Sequence, residues 1–134
     1  MSDEAAKPGE FRFRPHEHLR RPVDFRRVYE RRRSVSDESL IVYACPNDLP
    51  YSRLGLSVSR KYGGAVARNR LRRLYREAYR LSRAPLPFGI DLVLIPRGKN
   101  EPPLADLLIA LPKLIAQVAA KLARDAAKAP EPKP

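Results

Sequence analysis

Between Ala65 and Arg83 the chain reads AVARNRLRRLYREAYRLSR, and this stretch carries two patterns at once. Wound as a helix at about 100° per residue, Leu71, Leu74, Tyr75 and Ala78 fall within a stripe about 100° wide, the width of a surface that packs on a core. Arg72, Arg73, Arg76, Arg80 and Arg83 take a different arc with Asn69 among them, while Arg68 and Arg70 flank the stripe. A helix so divided has to lie along an apolar layer on one side and stay uncovered on the other.

The layer is supplied by segments with strand character. LIVYACP, from Leu40 to Pro46, is β-branched and aromatic and ends in turn residues Asn47 and Asp48. In SRLGLSVSRK, Leu54, Leu56 and Val58 alternate with Arg53, Gly55, Ser57 and Ser59. GIDLVLIP is a third buried strand closed by Pro96, and Arg33 to Ser36 allows a fourth, very short one. RPVDFRRVYERRR predicts a first helix, with Pro22 at a first helical position and Phe25, Val28 and Tyr29 on one face. From Leu104 to Lys128 a last helix has Leu104, Leu107, Leu108, Leu111, Ile115, Val118 and Leu122 on one stripe, and Pro112 is expected to kink it or to begin a second helix. The order is helix, strand pair, basic helix, strand, helix. It predicts an α+β domain: a two-layer α/β sandwich with a central, mostly antiparallel four-stranded sheet and three helices. Residues 1–17 and 127–134 are expected to be flexible tails around a domain spanning 18–126.

Charge narrows the function. Lysine and arginine number 27 against 15 acidic residues, a net charge of +12, and so large an excess on a small chain points to a polyanionic partner. A membrane surface is disfavoured, because no run of 18 uncharged apolar residues occurs. The N-terminus is acidic at its start and lacks the apolar segment of a signal peptide, so a cytoplasmic protein is expected. Cys45 is the only cysteine; it has no disulfide partner and lies in an apolar run as a small buried hydrophobe.

The basic helix carries the sharpest signal. Glu77 is its only acid, and Arg72–Arg76 and Arg76–Arg80 are like-charge pairs at i, i+4, each unfavourable by roughly 0.2–0.5 kcal/mol. An ordinary solvated face mixes signs and uses lysine and glutamate. Arginine in excess offers bidentate forks suited to phosphate. A DNA-reading helix would need base-edge donors and a helix-turn-helix setting, whereas only Asn69 offers an amide and strands flank the helix. Folded RNA, recognised by shape and backbone, suits such a ridge better. Catalytic chemistry has little support. His16 and His18 lie in a polar segment that cannot hold a catalytic geometry, no nucleophilic triad or paired carboxylate is evident, and Gly63-Gly64 before a helix could hold one phosphate at most.

LGLSVSRKYGGAVARNRLRRLYREAYR resembles the signature of the bacterial ribonuclease P protein subunit. That signature has an Arg-Asn-Arg core, further basic residues and an Arg-Glu-Ala-aromatic ending, after a Ser-Val-Ser-basic-Lys strand end. LRRPVDFRRVYE is similar to the family's first helix, LIVYA to its early strand and DLVLIPRG to its last, so that residues 19 to 100 are covered and the final helix matches in position and pattern. The resemblance implies an α/β sandwich with a left-handed βαβ crossover, an exception to the usual handedness. It implies a protein that assists a catalytic RNA in removing the 5′ leader of precursor tRNA, with magnesium ions held mainly by the RNA and none by the protein alone. It assigns Arg68, Asn69, Arg70, Arg72, Arg73 and Arg76 to contact with the catalytic RNA, and Phe25, Tyr29, Tyr43 and Lys61 to the single-stranded leader. No catalytic residue, no membrane and no protein partner is required. The sequence departs from the family pattern at Gly64, Pro96 and Tyr29, where Asn, a small residue and Phe are common. A general structural RNA-binding protein of ribosomal type is the alternative reading.

Overall fold

A computed structural model describes residues 14–82 and 89–128. Within them lie a 3-10 turn at Pro15–Glu17, helix α1 at Pro22–Arg31, and strands β1 at Ser34–Ser36, β2 at Leu40–Pro46 and β3 at Arg53–Leu56. A second 3-10 turn at Arg60–Tyr62, helix α2 at Ala65–Ser82, strand β4 at Ile90–Pro96 and helix α3 at Leu104–Lys128 follow. The sheet order is β1-β2-β4-β3. β1–β2 and β2–β4 are antiparallel, and β3–β4 is parallel, in register Arg53 to Asp91 and Leu56 to Leu94. The two strands adjacent in sequence, β2 and β3, are therefore not neighbours: β4 inserts between them. A parallel pair needs a long crossover, and α2 supplies it.

Strand alternation divides the sheet into two faces. Leu40, Val42 and Ala44 of β2, Leu54 of β3, and Ile90, Leu92 and Leu94 of β4 form one core with Leu71, Tyr75, Ala78 and Tyr79 of α2 and the buried stripe of α3. α2 thus buries its apolar stripe as its spacing requires, widened by Tyr79, and Leu74 is half-buried. α3 adds Leu114 to its expected stripe. It runs through Pro112 as one helix, so the proline begins no second one. The opposite face is smaller. There Leu19, Val28, Cys45 and Val93 are buried, with Phe25, Tyr29, Tyr43 and Ile95 packed against them, so α1 covers part of the sheet from the side that α2 and α3 leave open.

Of the residues expected to be tails, Pro15–Glu17 form the first 3-10 turn with Glu17 buried, and Ala127 and Lys128 complete α3. A backbone bridge from His18 to Leu54 and the Leu19 N–H, which donates to the Leu54 carbonyl at 2.8 Å, lay this entry segment beside β3. Residues 1–13, 83–88 and 129–134, Arg83 among them, lie outside the described residues. No helix among the described residues is long and apolar enough to cross a membrane.

Candidate nucleic-acid interface

All six arginine and asparagine positions singled out on the basic helix lie on α2. Asn69, Arg70 and Arg73 are exposed, and Arg68, Arg72 and Arg76 half-exposed. Their local partners are few. Arg68 Nε donates to the Gly63 carbonyl at 3.2 Å and Arg72 Nη1 to Asn69 Oδ1 at 2.7 Å. Arg70 reaches Glu101 at 3.4 Å with both side chains largely in solvent, a contact worth little. Arg80, by contrast, forks onto Glu77 at 2.7 Å. Among the described residues no carboxylate pairs with Arg72, Arg73 or Arg76. Burial, with the positive charges of Arg72 and Arg20, makes the Arg76 guanidinium less basic than usual. An incoming phosphate would relieve that repulsion.

The second set of residues lies across the sheet. Phe25 and Tyr29 point from α1 to the sheet, where Tyr29 and Tyr43 meet edge to face, ring centroids 5.1 Å apart at 86°. Both are half-buried, leaving part of each ring to solvent. The Phe25 ring occupies the space over Gly55, and a Cβ at Gly55 would stand 2.5 Å from Phe25 Cζ. Ser59 is engaged in its own turn, its hydroxyl accepting from the Lys61 N–H at 3.2 Å. Lys61 is exposed, with Nζ 5.2 Å from the Tyr62 ring centroid. It shares a depression of about 260 Å³ with Tyr62, Arg70 and Lys99, so the structure brings Lys61 together with the α2 ridge, while Phe25, Tyr29 and Tyr43 cluster among themselves.

What fixes α1 in place is a group that periodicity does not mark. Asp91 is fully buried in β4 and faces α1. Arg53 forks onto it at 2.8 and 2.6 Å, Asn47 Nδ2 donates at 2.9 Å, and Arg27 of α1 donates to it as well. Hydrogen bonding to Asp91 raises the Arg53 pKa. Arg27 also reaches the Pro46 carbonyl at 3.0 Å and Cys45 Sγ at 3.1 Å, and burial pushes the Cys45 thiol up, away from reactivity. The one available signal is an aspartate inside the apolar run GIDLVLIP. His16, in turn, packs edge-on against Tyr51 at 4.7 Å. Among the described residues no set of three His, Cys, Asp or Glu side chains converges to hold a metal ion.

A family model described as ribonuclease P matches residues 13–119. The chain belongs to the ribonuclease P protein family. Among its relatives is the ribonuclease P protein component of Lachnoclostridium phytofermentans, 39% identical over 102 residues, which are 73% of this chain and 88% of the relative. That of Clostridioides difficile is 43% identical over 84 residues, 62% of this chain and 74% of the relative. The solved ribonuclease P protein of Thermotoga maritima superposes with a TM-score of 0.69 at 34% identity, covering 75% of this chain and 96% of that one. For the Staphylococcus aureus protein the TM-score is 0.66 at 28% identity, covering 77% and 94%. As a ribonuclease P protein component the chain is an accessory subunit of the endoribonuclease that matures tRNA 5′ ends, and it works with the ribonuclease P RNA. Its departures from the family pattern acquire positions here. Gly64 is exposed with open space where a side chain would go. Pro96 is buried and pairs with Leu40, on the α2 and α3 face by strand alternation and so away from Tyr43. Tyr29 keeps an aromatic face against Tyr43.

Proposed function

We propose that the α2 ridge, Arg68, Asn69, Arg70, Arg72, Arg73 and Arg76, docks on the backbone of the catalytic RNA. The seam between α1 and the sheet, with Phe25, Tyr29 and Tyr43, holds the single-stranded 5′ leader of precursor tRNA, and Lys61 contributes charge from the turn after β3. Bond cleavage belongs to the RNA and its magnesium ions. The observation that carries this reading is the division of the molecule: Arg72, Arg73 and Arg76 on one helix, which meet no carboxylate among the described residues, and partly exposed aromatic residues on the sheet face that this helix does not touch. Unpaired nucleotides bind by stacking on aromatic rings, at about 1–3 kcal/mol per base, and folded RNA is gripped through phosphate.

The test separates the two surfaces in the reconstituted holoenzyme at low magnesium. Arg68→Ala with Arg72→Ala weakens binding to the catalytic RNA and flattens its salt dependence, by a slope of about 0.7–0.9 for each phosphate no longer neutralised. Tyr29→Leu with Tyr43→Leu keeps the apolar packing but removes the stacking faces. It lowers the preference for precursor over mature tRNA by about 5- to 150-fold for each base left unstacked. Equal impairment of the same step by both pairs would refute the division. Binding of RNA without any preference for leader-bearing tRNA would favour a general structural RNA binder instead.

A further inference from the structure

A second cationic surface lies away from α2, where the α1–β1 turn meets the C-terminal end of α3. Two adjoining open depressions of about 470 and 200 Å³ share Arg33 and Asp125. Among the described residues their walls carry Arg31, Arg32, Arg33, Lys121, Arg124 and Lys128 against one carboxylate, that of Asp125. Asp125 acts as an anchor: Arg33 forks onto it at 2.7 and 2.6 Å and Arg31 approaches at 3.4 Å, tying the turn to α3. Arg33 holds the Asp125 carboxyl below its usual range. Lys121 Nζ donates to the Ser34 carbonyl at 2.9 Å. Arg32, Arg124 and Lys128 are exposed and, among the described residues, make no close ion pair, although the charge of Lys128 helps to lower the Asp125 carboxyl.

Helix C-termini favour nearby cations, which accounts for Arg31 and Lys128. It covers the charge of Arg32 at the cap of α1 as well, but not the backbone conformation there. That residue sits at φ +60°, ψ +32°, the left-handed capping position that glycine fills at least strain, and an arginine there is unfavourable by about 1 kcal/mol. The patch also continues the aromatic seam. The Arg32 N–H donates to the Tyr29 carbonyl at 3.0 Å, and Ser34, whose carbonyl Lys121 engages, pairs in register with Tyr43.

We propose that this surface is a phosphate track for single-stranded RNA, receiving the part of a long 5′ leader that emerges past Tyr29 and Tyr43. The inference rests on the assignment of the leader to the aromatic seam. Its expected occupant is an extended phosphodiester backbone, held by charge and without base readout.

The test compares two precursor tRNAs, with leaders of about 4 and about 16 nucleotides, bound to holoenzyme reconstituted from the full chain and a bacterial ribonuclease P RNA. The variant is Arg32→Gly with Arg124→Gln and Lys128→Gln, which relieves the left-handed strain and leaves the Arg33–Asp125 anchor intact. The long leader loses about tenfold in affinity in the variant, and its log–log salt slope falls by about 2, three phosphates at about 0.7 each. The short leader binds as it does to the unmodified chain. In the unmodified chain, which needs no variant to fold, the long-leader slope is the steeper by the same amount. Loss of catalytic-RNA affinity irrespective of leader would assign the patch to that RNA and overturn the proposal. Unchanged long-leader binding and slope would overturn it while leaving the seam intact. If the unmodified protein shows no preference even for the short leader, the seam assignment falls and this inference falls with it.

Discussion

Replacing Asp91 by asparagine keeps the size of a fully buried side chain but removes the charge that faces Arg27 and Arg53. Breaking a buried ion pair by removing one partner is unfavourable by about 3–5 kcal/mol, and the lower end applies here, because Arg53 keeps Asp24 at 3.8 Å and Arg27 reaches water. The order of losses follows from exposure. Arg53 is 20% exposed and Arg27 40%, while the aspartate is sealed. Arg53→Met leaves Asp91 with Arg27 and Asn47, and Arg27→Met leaves it with the Arg53 fork and Asn47. A guanidinium as exposed as Arg27 is already screened by water, so its removal costs about 1 kcal/mol, and Arg53 falls between. Urea unfolding followed by circular dichroism reads this directly. With an m-value near 2 kcal/mol per molar, Asp91→Asn lowers the midpoint by about 1.5 M at unchanged m. On the proposed assignment of the two surfaces, folded populations that survive at zero urea also lose leader discrimination, since α1 carries Phe25 and Tyr29, while affinity for the catalytic RNA is retained. A midpoint shift under about 0.5 M, or a larger loss for Arg27→Met than for Asp91→Asn, would refute the view that one carboxylate clamps α1 to the sheet.

Gly55→Ala places a methyl group where Phe25 Cζ stands 2.5 Å away and Leu19 Cβ 3.1 Å away. Overpacking of this kind costs about 1–3 kcal/mol, measured by thermal or urea unfolding, and the displaced Phe25 ring lowers precursor discrimination; Phe25→Leu in the same chain restores stability but not discrimination. Tyr75 is sealed between α2 and the sheet, its hydroxyl donating to the Ser39 carbonyl at 3.4 Å, and burial pushes its pKa well above the usual 10.0. The folded state therefore holds that proton more tightly than the unfolded chain, so the stability it confers is complete below pH 10 and declines as the pH rises above it. Tyr75→Phe removes this part of the alkaline decline in denaturation midpoints taken from about pH 8 to about pH 11, and an identical decline in both proteins would show that Tyr75 is not its source.

Spacing alone makes α2 legible, because a stripe and a charged arc on one helix admit few placements. The sheet is legible as strands and not as an order. Nothing in β2 or β3 says that β4 will come between them; that follows from β4 being buried on both faces and from α2 being long enough to carry the chain across. The signature residues of the basic helix are readable because they share one element. The aromatic seam draws on resemblance: from spacing alone Phe25 and Tyr29 are ordinary core, and half-burial against Tyr43 and Gly55 depends on where α1 is clamped. Asp91 escapes notice because an isolated acid in an apolar run has no periodicity, and Arg27 and Arg53, its partners, lie 64 and 38 residues away in sequence. Gly55 is open for a related reason: smallness marks either an open shelf or a close approach, and the position of the Phe25 ring shows the latter.

The arginines of this chain sort by their counter-ions rather than by their number. Arg27 and Arg53 face Asp91, Arg33 faces Asp125 and Arg80 faces Glu77. The first three bind elements to one another, and their charge is neutralised inside the fold. Arg72, Arg73 and Arg76 meet no carboxylate among the described residues, and Arg76 is made less basic by burial and by its own kind. A net charge of +12 is therefore not a uniform coat: the folded chain neutralises the guanidiniums that hold α1 and α3 to the sheet and, among the described residues, leaves Arg72, Arg73 and Arg76 of α2 unmatched. An RNA that covers that ridge removes a repulsion the protein cannot relieve internally, so binding and stability are coupled. Unfolding midpoints should rise with catalytic RNA present, and the rise should shrink when Arg72 and Arg76 become glutamine. Replacing Arg33 by glutamine should instead lower stability without RNA and leave the increment from RNA unchanged, since its charge already has a partner. Equal increments for the ridge variant and the unmodified chain would mean that unmatched charge on α2 is not what the RNA neutralises.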